Sequence, residues 1–303
     1  MYDIIIIGGG AAGMSAALYA GRSGMKTLVI ESVAVGGQMN QTYEIANYPG
    51  VLNNPDGTSL AMSMKEQAQE YGAEFTSETV KEIKDIHEKT KKVVTRKNVY
   101  ETKAVIFATG ANPRKLGADG EEKFHGMGVS YCATCDGAFF KGQETAVVGG
   151  GNTAFEDALY LSRFCKKVYL IHRRDGFRAE ATMVNAVRNN DKIEFVLNST
   201  VEKIKGDTTV SSIEIKNTIT GAINELSISG VFVAVGRDAN SALAGKYLRL
   251  DNEGFIITDR YMQTSIKGVY AAGDVRDTPL RQVITAAADG AVAATSAIHY
   301  ING

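Results

Sequence analysis

Two glycine-rich turns of the same design constrain what this chain can fold into more than any other feature. The first, Gly8-x-Gly10-x-x-Gly13, follows the β-branched run Ile4–Ile7, and the second, Gly149-x-Gly151-x-x-Ala154, follows the apolar run Ala146–Val148. A strand, a tight glycine turn and a helix in this order form the dinucleotide-binding fingerprint, which accepts alanine at its third place. The sequence therefore predicts an α/β fold with two Rossmann-like, three-layer dinucleotide-binding domains.

The residue types within each fingerprint suit a bound pyrophosphate. The first glycine permits the tight turn, the second lets backbone N–H groups approach the phosphates, and the third place lets the helix pack close to the strand. Unpaired N–H groups and the helix dipole favour negative charge at the helix N-terminus. The residues predicted to contact dinucleotides are therefore those of the two turns: Gly8, Gly10, Ala11, Ala12 and Gly13 in the first, and Gly149, Gly151, Asn152 and Thr153 in the second.

The end of the second strand differs between the two copies, although its spacing from the first glycine is the same. In the first copy it is Glu31, a carboxylate suited to the hydroxyls of an adenosine ribose. In the second it is His172-Arg173-Arg174, with Arg178 one turn further on, and guanidinium groups can bind a 2′-phosphate in bidentate fashion. We interpret this as NADPH at the second site, which leaves FAD as the simplest choice for the first. The alternative is a solvated basic turn.

A pair of cysteines followed by an acid marks the predicted chemical centre. Cys132-Ala133-Thr134-Cys135 holds two thiols close enough to cycle between dithiol and disulfide, and this motif lowers the pKa of one thiol. Asp136 follows directly and would shuttle a proton to the thiolates, given a raised pKa in a dry pocket. The alternative for Asp136 is a capping role at the start of a helix.

Half of a zinc site is the competing interpretation of the cysteine pair. A structural zinc needs four ligands, and beyond this pair the chain offers only Cys165 and four histidines, which do not form a matching second pair. We therefore predict no metal. We expect Cys165, which lies in an amphipathic stretch, to be buried and outside the chemistry.

Composition narrows the class of protein. A length of 303 residues suggests two domains at about 150 residues each. The 33 lysines and arginines balance 34 aspartates and glutamates, which argues against a nucleic-acid partner. No apolar run approaches the ~18 residues of a membrane span, and the start lacks the cationic region of a signal peptide. Three cysteines do not make a disulfide framework, so we expect a reducing compartment, the cytoplasm. From the charge balance and the short apolar runs, we expect a protein that binds neither nucleic acid nor membrane.

The C-terminal part of the chain carries two further features. Val269–Gly273 predicts a strand that delivers Asp274 at its carboxyl end, the edge of an open α/β sheet where ligands bind. A simple turn-forming aspartate is the alternative. Leu280–Tyr300 is rich in alanine and predicts a closing helix.

Together these motifs resemble those of the low-molecular-weight thioredoxin reductases of prokaryotes, over essentially the whole chain. The two fingerprints, the His172–Arg178 run and the Cys132–Asp136 motif carry the resemblance. Lipoamide-type disulfide reductases are longer and have their cysteines in the FAD domain, whereas here the cysteines precede the second fingerprint. Shorter motifs support the resemblance: Gly36-Gly37-Gln38, Asn47-Tyr48-Pro49-Gly50, Ala108-Thr109-Gly110, Gly273-Asp274-Val275 and Arg281-Gln282.

The resemblance implies a homodimeric flavoprotein of two domains. The FAD-binding domain would be discontinuous, built from residues 1–114 and 244–303. The NADPH-binding domain, residues 115–243, would be inserted between them and would carry the cysteines. Hydride would pass from NADPH to FAD, and electrons from there to the Cys132–Cys135 disulfide and on to thioredoxin.

The resemblance also assigns roles to single residues. Cys135 would be the flavin-facing thiol, Cys132 the thiol that attacks the thioredoxin disulfide, and Asp136 the acid–base group. The NADPH domain would rotate between two orientations, with hinges near Arg114–Gly117 and Ala239–Leu243. FAD contacts would come from Glu31, Gly37, Gln38, Asn47, Thr109, Gly110, Gly273, Asp274, Arg281 and Gln282, and NADPH contacts from His172, Arg173, Arg174 and Arg178.

Other functions stay open on the sequence alone. The same fold could serve a peroxiredoxin-linked carrier or a small-molecule dithiol, or take electrons from ferredoxin, although ferredoxin-linked relatives lose the basic NADPH motif that is intact here. A non-catalytic nucleotide sensor would not need the cysteine pair with Asp136. Met127 stands where some relatives place a basic residue used in docking thioredoxin, a departure that bears on the protein partner.

Overall fold

The computed structural model describes residues 1–42, 44–53 and 55–303 of the chain. These residues form two compact units: the first contains Met1–Asn112 and Asp238–Gly303, and the second contains Pro113–Arg237. The second unit is therefore an insertion within the chain of the first. Over the described ranges, no helix is both long and apolar enough to cross a membrane.

Helices alternate with strands within residues 2–77 and 129–196, whereas residues 80–113 and 199–271 contain strands that follow one another without an α-helix between them. Short 3₁₀ turns lie at Gly37–Gln41, Gly137–Phe140, Ala244–Lys246 and Gly273–Val275. The strands and α-helices, in chain order, are β1 (Tyr2–Ile7), α1 (Ala11–Arg22), β2 (Thr27–Glu31), α2 (Gly57–Glu70), β3 (Glu74–Ser77), β4 (Val80–Lys84), β5 (Lys91–Thr95), β6 (Val99–Phe107), β7 (Ala111–Pro113), β8 (Val129–Ser130), α3 (Ala133–Asp136), β9 (Glu144–Gly149), α4 (Asn152–Ser162), β10 (Lys167–Ile171), α5 (Ala181–Arg188), β11 (Ile193–Val196), β12 (Ser199–Gly206), β13 (Val210–Asn217), β14 (Ile223–Ser227), β15 (Gly230–Ala234), β16 (Arg237–Ala239), β17 (Val269–Ala271) and α6 (Val283–Asn302).

The first unit is built on a mostly parallel sheet. Its order is β3-β2-β1-β6-β5-β4, with β17 also paired to β6. Among these strands β5 pairs antiparallel with both β4 and β6, and the other pairs are parallel. In the central strand β1, Ile4 lies opposite Thr27 on one side and Ala104 on the other. The residues Ile4–Ile6 are fully buried because apolar clusters cover both faces of the sheet, which explains the continuous β-branched run.

The second unit repeats this arrangement around its own fingerprint. Its main sheet has the order β11-β10-β9-β15-β8, and every pair in it is parallel. A separate antiparallel sheet follows the order β12-β13-β14. In β9-α4-β10, as in β1-α1-β2, the second strand pairs in parallel beside the first. The predicted α/β fold with two Rossmann-like units is confirmed.

The C-terminal helix α6 packs against the fingerprint helix α1 with almost no space between the backbones. A Cβ added at Gly290 would lie 2.1 Å from the carbonyl oxygen of Ala12, and Ser15 Oγ donates to the carbonyl oxygen of Ala287 at 2.7 Å. The helix begins at Val283, later than the predicted start at Leu280, because Gln282 is extended and forms a capping box with Thr285.

The chain passes between the units at Asn112–Pro113 and at Arg237–Asp238. The strands that contain these crossings, β7 and β16, pair as a two-stranded ribbon. The sequence placed the second boundary after Leu243, whereas residues 238–243 belong to the first unit. Asn240 accounts for the difference, because its backbone N–H donates to the carbonyl oxygen of Gly110 at 2.9 Å and its side chain donates to that of Thr109 at 3.0 Å.

We expect Gly290→Ala to lower the free energy of unfolding by about 1–3 kcal/mol, the usual range for overpacking a filled core. This sign is opposite to helix propensity, which favours alanine over glycine by about 1 kcal/mol. Urea unfolding followed by far-ultraviolet circular dichroism measures the change. Ala288→Gly, on an exposed position of the same helix, should lose about 1 kcal/mol through propensity alone. Unchanged or increased stability of Gly290→Ala would show that the two helices separate freely.

Candidate active site

In the first fingerprint, the backbone is tightly packed at Gly8 and Gly13 and open to a ligand at Gly10. A Cβ at Gly8 would lie 2.3 Å from the carbonyl oxygen of Ala108, and one at Gly13 would lie 1.9 Å from that of Gly8. At Gly10, the residue before α1, a Cβ would meet nothing within 4 Å. Gly8 and Gly13 therefore allow the turn to close, while Gly10 exposes the first N–H groups of α1 to a ligand.

The second fingerprint has the same design. A Cβ at Gly149 would lie 2.4 Å from the carbonyl oxygen of Ala234, at the end of β15, whereas a Cβ at Gly151 would meet nothing within 4 Å. Helix α4 begins at Asn152, directly after this open position. Both turns therefore fit the phosphates of a dinucleotide, since each combines room for the ligand with unpaired N–H groups at a helix start.

The strand-end residue faces the middle glycine in both copies. Glu31 accepts the backbone N–H groups of Gly9, at 2.7 Å, and Val33, at 3.0 Å, so its carboxylate is fixed beside the turn. His172 takes the equivalent place, and a Cβ at Gly150 would lie 2.2 Å from its ring. Burial lowers the pKa of the His172 imidazole, which is therefore neutral near pH 7.

The basic loop after β10 presents three exposed guanidinium groups, those of Arg173, Arg174 and Arg178. Within the described ranges, no carboxylate forms a salt bridge with them. The loop backbone is held to the fingerprint, because the Arg178 N–H donates to the carbonyl oxygen of Gly150 at 2.8 Å. The arrangement can receive an anionic group beside the second turn.

The short motifs of the first unit gather around the first fingerprint. A Cβ at Gly37 would lie 3.6 Å from Gly10 Cα, and one at Gly273 would lie 2.9 Å from Ala12 Cβ. Asn47 Nδ2 donates to Gln282 Oε1 at 3.0 Å, which joins the two ends of the chain. The structure thus brings the remaining predicted residues to the carboxyl edge of the first sheet or to loops joined to it: Gln38, Thr109, Gly110, Asp274 and Arg281.

Asp289 and Arg276 support this edge and were missed by the sequence reasoning. Asp289 Oδ2 accepts the N–H of Gly273 at 3.1 Å and Nη1 of Arg276 at 3.0 Å, and both side chains of the ion pair are nearly buried. The pair therefore fixes the turn from which Asp274 projects. An acid in the middle of an alanine-rich helix was the available signal.

The cysteine pair forms a disulfide at the start of a short helix. Cys132 and Cys135 are bonded with their Cα atoms 5.3 Å apart, and Cys132 is the N-cap residue of α3. The Cys135 N–H lies 3.2 Å from Cys132 Sγ, and Thr134 Oγ1 lies 3.4 Å from the same sulfur. An N–H aimed at Cys132 Sγ stabilises negative charge there once the bond is reduced. The predicted redox-active pair is confirmed as a disulfide.

Asp136 interacts with a serine and does not cap a helix. It is the last residue of α3, and it makes no side-chain cap to the 3₁₀ turn that follows. Its Oδ2 accepts the hydroxyl of Ser130 at 2.6 Å. Burial raises the pKa of Asp136, and the Ser130 hydrogen bond and the nearby His125 oppose that rise. The group therefore holds its proton at higher pH than an exposed aspartate does.

Tyr131, the residue before Cys132, is held by two groups that the sequence did not suggest. Its hydroxyl donates to Glu121 Oε1 at 2.8 Å, and its carbonyl oxygen accepts from Arg237 Nη2 at 3.4 Å. Glu121 is buried and also accepts the N–H groups of Leu116 and Gly117. One buried carboxylate thus joins the first residues of the second unit to the cysteine loop.

Residues 1–42, 44–53 and 55–303 contain no cluster of three or more histidines, cysteines, aspartates and glutamates that could hold a metal ion. Cys165, the free cysteine, is buried and its thiol donates to the carbonyl oxygen of Phe140 at 3.4 Å. Burial raises the pKa of this thiol. Its surroundings are therefore those of a core residue rather than a reactive one.

Known proteins match this chain over nearly its whole length. The sequence profile of the family described as pyridine nucleotide-disulphide oxidoreductase matches residues 2–290. The thioredoxin reductase of Peptoclostridium acidaminophilum is 47% identical over 307 residues, which cover 99% of this chain and 97% of the relative. The bifunctional thioredoxin reductase/thioredoxin of Mycobacterium leprae (strain TN) is 44% identical over 303 residues, which cover 99% of this chain and 66% of that longer relative. The crystal structure of thioredoxin reductase from Streptococcus pyogenes MGAS5005 gives a TM-score of 0.94 at 46% sequence identity. The match covers 100% of this chain and 98% of that chain.

We expect Glu121→Gln to destabilise the protein by about 2–4 kcal/mol, because the buried amide keeps one acceptor oxygen for three donors and adds an NH₂ group that faces them. Glu225→Gln is the matched control: its carboxylate is largely exposed and accepts from Ser212 and Lys205, so it should change stability by less than about 1 kcal/mol. Thermal unfolding of both variants provides the comparison. Equal effects would show that the Glu121 contacts contribute no more than a surface network.

Proposed function

This chain belongs to the pyridine nucleotide-disulphide oxidoreductase family, and on this basis we propose that it is a thioredoxin reductase that uses FAD and NADPH. The observation that carries the proposal is the Cys132–Cys135 disulfide, which lies with Asp136 in the same unit as the arginine-rich fingerprint. The relatives named thioredoxin reductase support it, since their similarity extends over the whole chain and includes the redox-active part.

The first unit would hold FAD and the second would hold NADPH. The open space at Gly10 and the fixed carboxylate of Glu31 suit an adenosine diphosphate group with a free ribose hydroxyl. At the second turn, the neutral His172 and the arginines that follow it suit a 2′-phosphate, which the carboxylate of Glu31 would repel at the first. The remaining contacts predicted from the sequence belong to the same proposal.

Bound FAD would supply the two-electron chemistry that links a hydride donor to a disulfide. In the dithiol form, the Cys132 thiolate attacks one sulfur of the thioredoxin disulfide, a mixed disulfide forms, and the second thioredoxin sulfur leaves and takes a proton. Cys135 then attacks Cys132 Sγ, which restores the Cys132–Cys135 disulfide and releases thioredoxin as a dithiol. Asp136, with its raised pKa, provides the proton for the leaving sulfur.

A surface of the second unit that exposes two large apolar side chains beside polar ones would receive thioredoxin. Met127 and Phe139 are exposed, at 43% and 54%, and with Phe140 they line a cavity of about 430 Å³. Phe139 follows closely after Asp136 in the chain. The relative from Mycobacterium leprae, whose name joins a thioredoxin reductase with a thioredoxin, supports thioredoxin as the partner.

A homodimer and a cytoplasmic location complete the proposal. Helix α1 packs against both α2 and α6, and each of the three leaves a large apolar side chain exposed: Tyr19, Met62 and Ile284. A second subunit would cover these side chains. The free thiol of Cys165 suits a reducing compartment. The rotation of the second unit between half-reactions, which the resemblance implies, remains a prediction.

An anaerobic titration tests the function. NADPH should bleach the visible flavin absorbance of the purified protein, and oxidised thioredoxin should restore it. Cys132→Ser should be bleached equally but not restored, because Cys135 alone cannot complete the exchange. Cys165→Ala, which removes a buried thiol outside the site, should behave as wild type.

Each departure from this outcome has a distinct meaning. Recovery of the absorbance by thioredoxin in Cys132→Ser would overturn the role of Cys132. A wild-type protein that is bleached but not restored would have another disulfide as substrate. A flavoprotein that NADPH cannot bleach would have another electron donor.

Nucleotide choice depends on the basic loop. We expect Arg173→Ala with Arg174→Ala to raise KM for NADPH by about tenfold or more, because charge-assisted contacts to a 2′-phosphate are lost. KM for NADH should change little, since NADH carries a hydroxyl in that place. Arg188→Ala, which removes one exposed arginine at the end of α5, is the control for losing a positive charge elsewhere in the second unit. Equal losses with both nucleotides would contradict the assignment of the arginines.

A further inference from the structure

Ser130 joins the two chemical parts of the cysteine loop. It ends strand β8, where it is 4% exposed, and its Oγ lies 3.0 Å from the N–H of Cys132 and 2.6 Å from Asp136 Oδ2. One hydroxyl therefore contacts both the backbone of the residue expected to attack and the carboxyl expected to provide the proton. Ser130 belongs to none of the motifs that the sequence displays.

The hydrogen-bonding capacity of a hydroxyl fixes the direction of these contacts. Ser130 Oγ has one proton and two lone pairs, and the Cys132 N–H uses one lone pair. Two acceptors compete for the proton: Asp136 Oδ2 at 2.6 Å and the Cys132 carbonyl oxygen at 3.3 Å. The contact to Oδ2 is the shorter of the two, so the hydroxyl proton is donated to Oδ2.

The other charged groups near the loop do not replace this contact. His125 acts on Asp136 through its charge and packs its ring against Tyr131, with centroids 5.3 Å apart. Helix α4, which packs against α3, carries Glu156 and Asp157, whose electrostatic interactions are with each other and with Arg237. Ser130 is therefore the hydrogen-bond donor that the structure gives to the Asp136 carboxyl.

We propose that Ser130 is a positioning residue of the disulfide reaction, which holds Asp136 by Oδ2 so that Oδ1 carries the transferable proton. This inference rests on the proposed function, and it adds a residue that determines which oxygen acts. When the mixed disulfide forms, the proton on Oδ1 passes to the leaving thiolate sulfur, and Asp136 is left as a carboxylate. The hydroxyl of Ser130, already aimed at Oδ2, stabilises that carboxylate without any rearrangement.

The test measures the titration of Asp136 in the oxidised holoprotein. Carboxyl ¹³C NMR of protein labelled at aspartate follows each group, and Asp136→Asn identifies the signal. Asp157→Asn identifies the signal of Asp157, whose pKa is raised to about 7 by burial and by the nearby Glu156. In Ser130→Ala the carboxylate loses its donor, so the pKa of Asp136 should rise by about one to two units.

Two variants separate positioning from general packing. Ser130→Thr keeps the hydroxyl and should return the titration of Asp136 to within a few tenths of a unit of wild type. Ser212→Ala is the matched control, because Ser212 is also buried in the second unit and also donates to a carboxylate at 2.6 Å, that of Glu225. Ser212→Ala should leave the pKa of Asp136 unchanged.

The rate at which thioredoxin reoxidises the reduced protein is the second readout. The limb of its pH profile that depends on Asp136 should move to higher pH in Ser130→Ala, by the same amount as the titration. An unchanged pKa of Asp136 in Ser130→Ala, or a rise in that pKa of the same size in Ser212→Ala, would overturn the proposal. A shifted titration in a protein that fails to reduce thioredoxin would support the positioning and overturn only the proposed function.

Discussion

The close approach of backbone to backbone at the two fingerprints is the constraint on which both units depend. Nothing larger than hydrogen fits at Gly13 against the carbonyl oxygen of Gly8, or at Gly149 against that of Ala234. Each fingerprint helix must therefore start directly at the carboxyl edge of its sheet, with its first N–H groups exposed. In the first unit the same edge receives Glu31 from β2, Thr109 from β6 and the turn after β17. The packing of a turn thus decides where a ligand can lie.

One position on this shared scaffold distinguishes the two sites. The strand-end residue faces the middle glycine of the turn in each unit, Glu31 against Gly9 and His172 against Gly150. The carboxylate of Glu31 is held by two backbone N–H groups, whereas His172 is neutral and is followed by exposed arginines. Since the backbone is alike, the difference in electrostatic potential comes from the side chains at this position and directly after it.

The sequence was sufficient for features encoded locally and insufficient for those made by distant residues. The fingerprints, the parallel sheets and the cysteine pair follow from short patterns, and the structure contains them. The start of α6 differs by one turn because the side chains of Gln282 and Thr285 satisfy the first backbone groups. The capping alternative for Asp136 is excluded only by the structure, in which its carboxyl accepts from Ser130 and makes no cap to the following turn. The Asp289–Arg276 pair and the tie from Glu121 to Tyr131 depend on tertiary packing, for which periodicity carries no signal.

The interrupted connectivity of the first unit determines when each part of the protein can fold during synthesis. The sheet of that unit gains β17 only from the last part of the chain, and α1 is covered only when α6 follows. The second unit, in contrast, is one continuous segment, whose ends leave through the paired strands β7 and β16. A ribosome therefore releases a complete inserted unit while the surrounding unit still exposes one face of its fingerprint helix. The nascent protein depends on its final helix to close the fold.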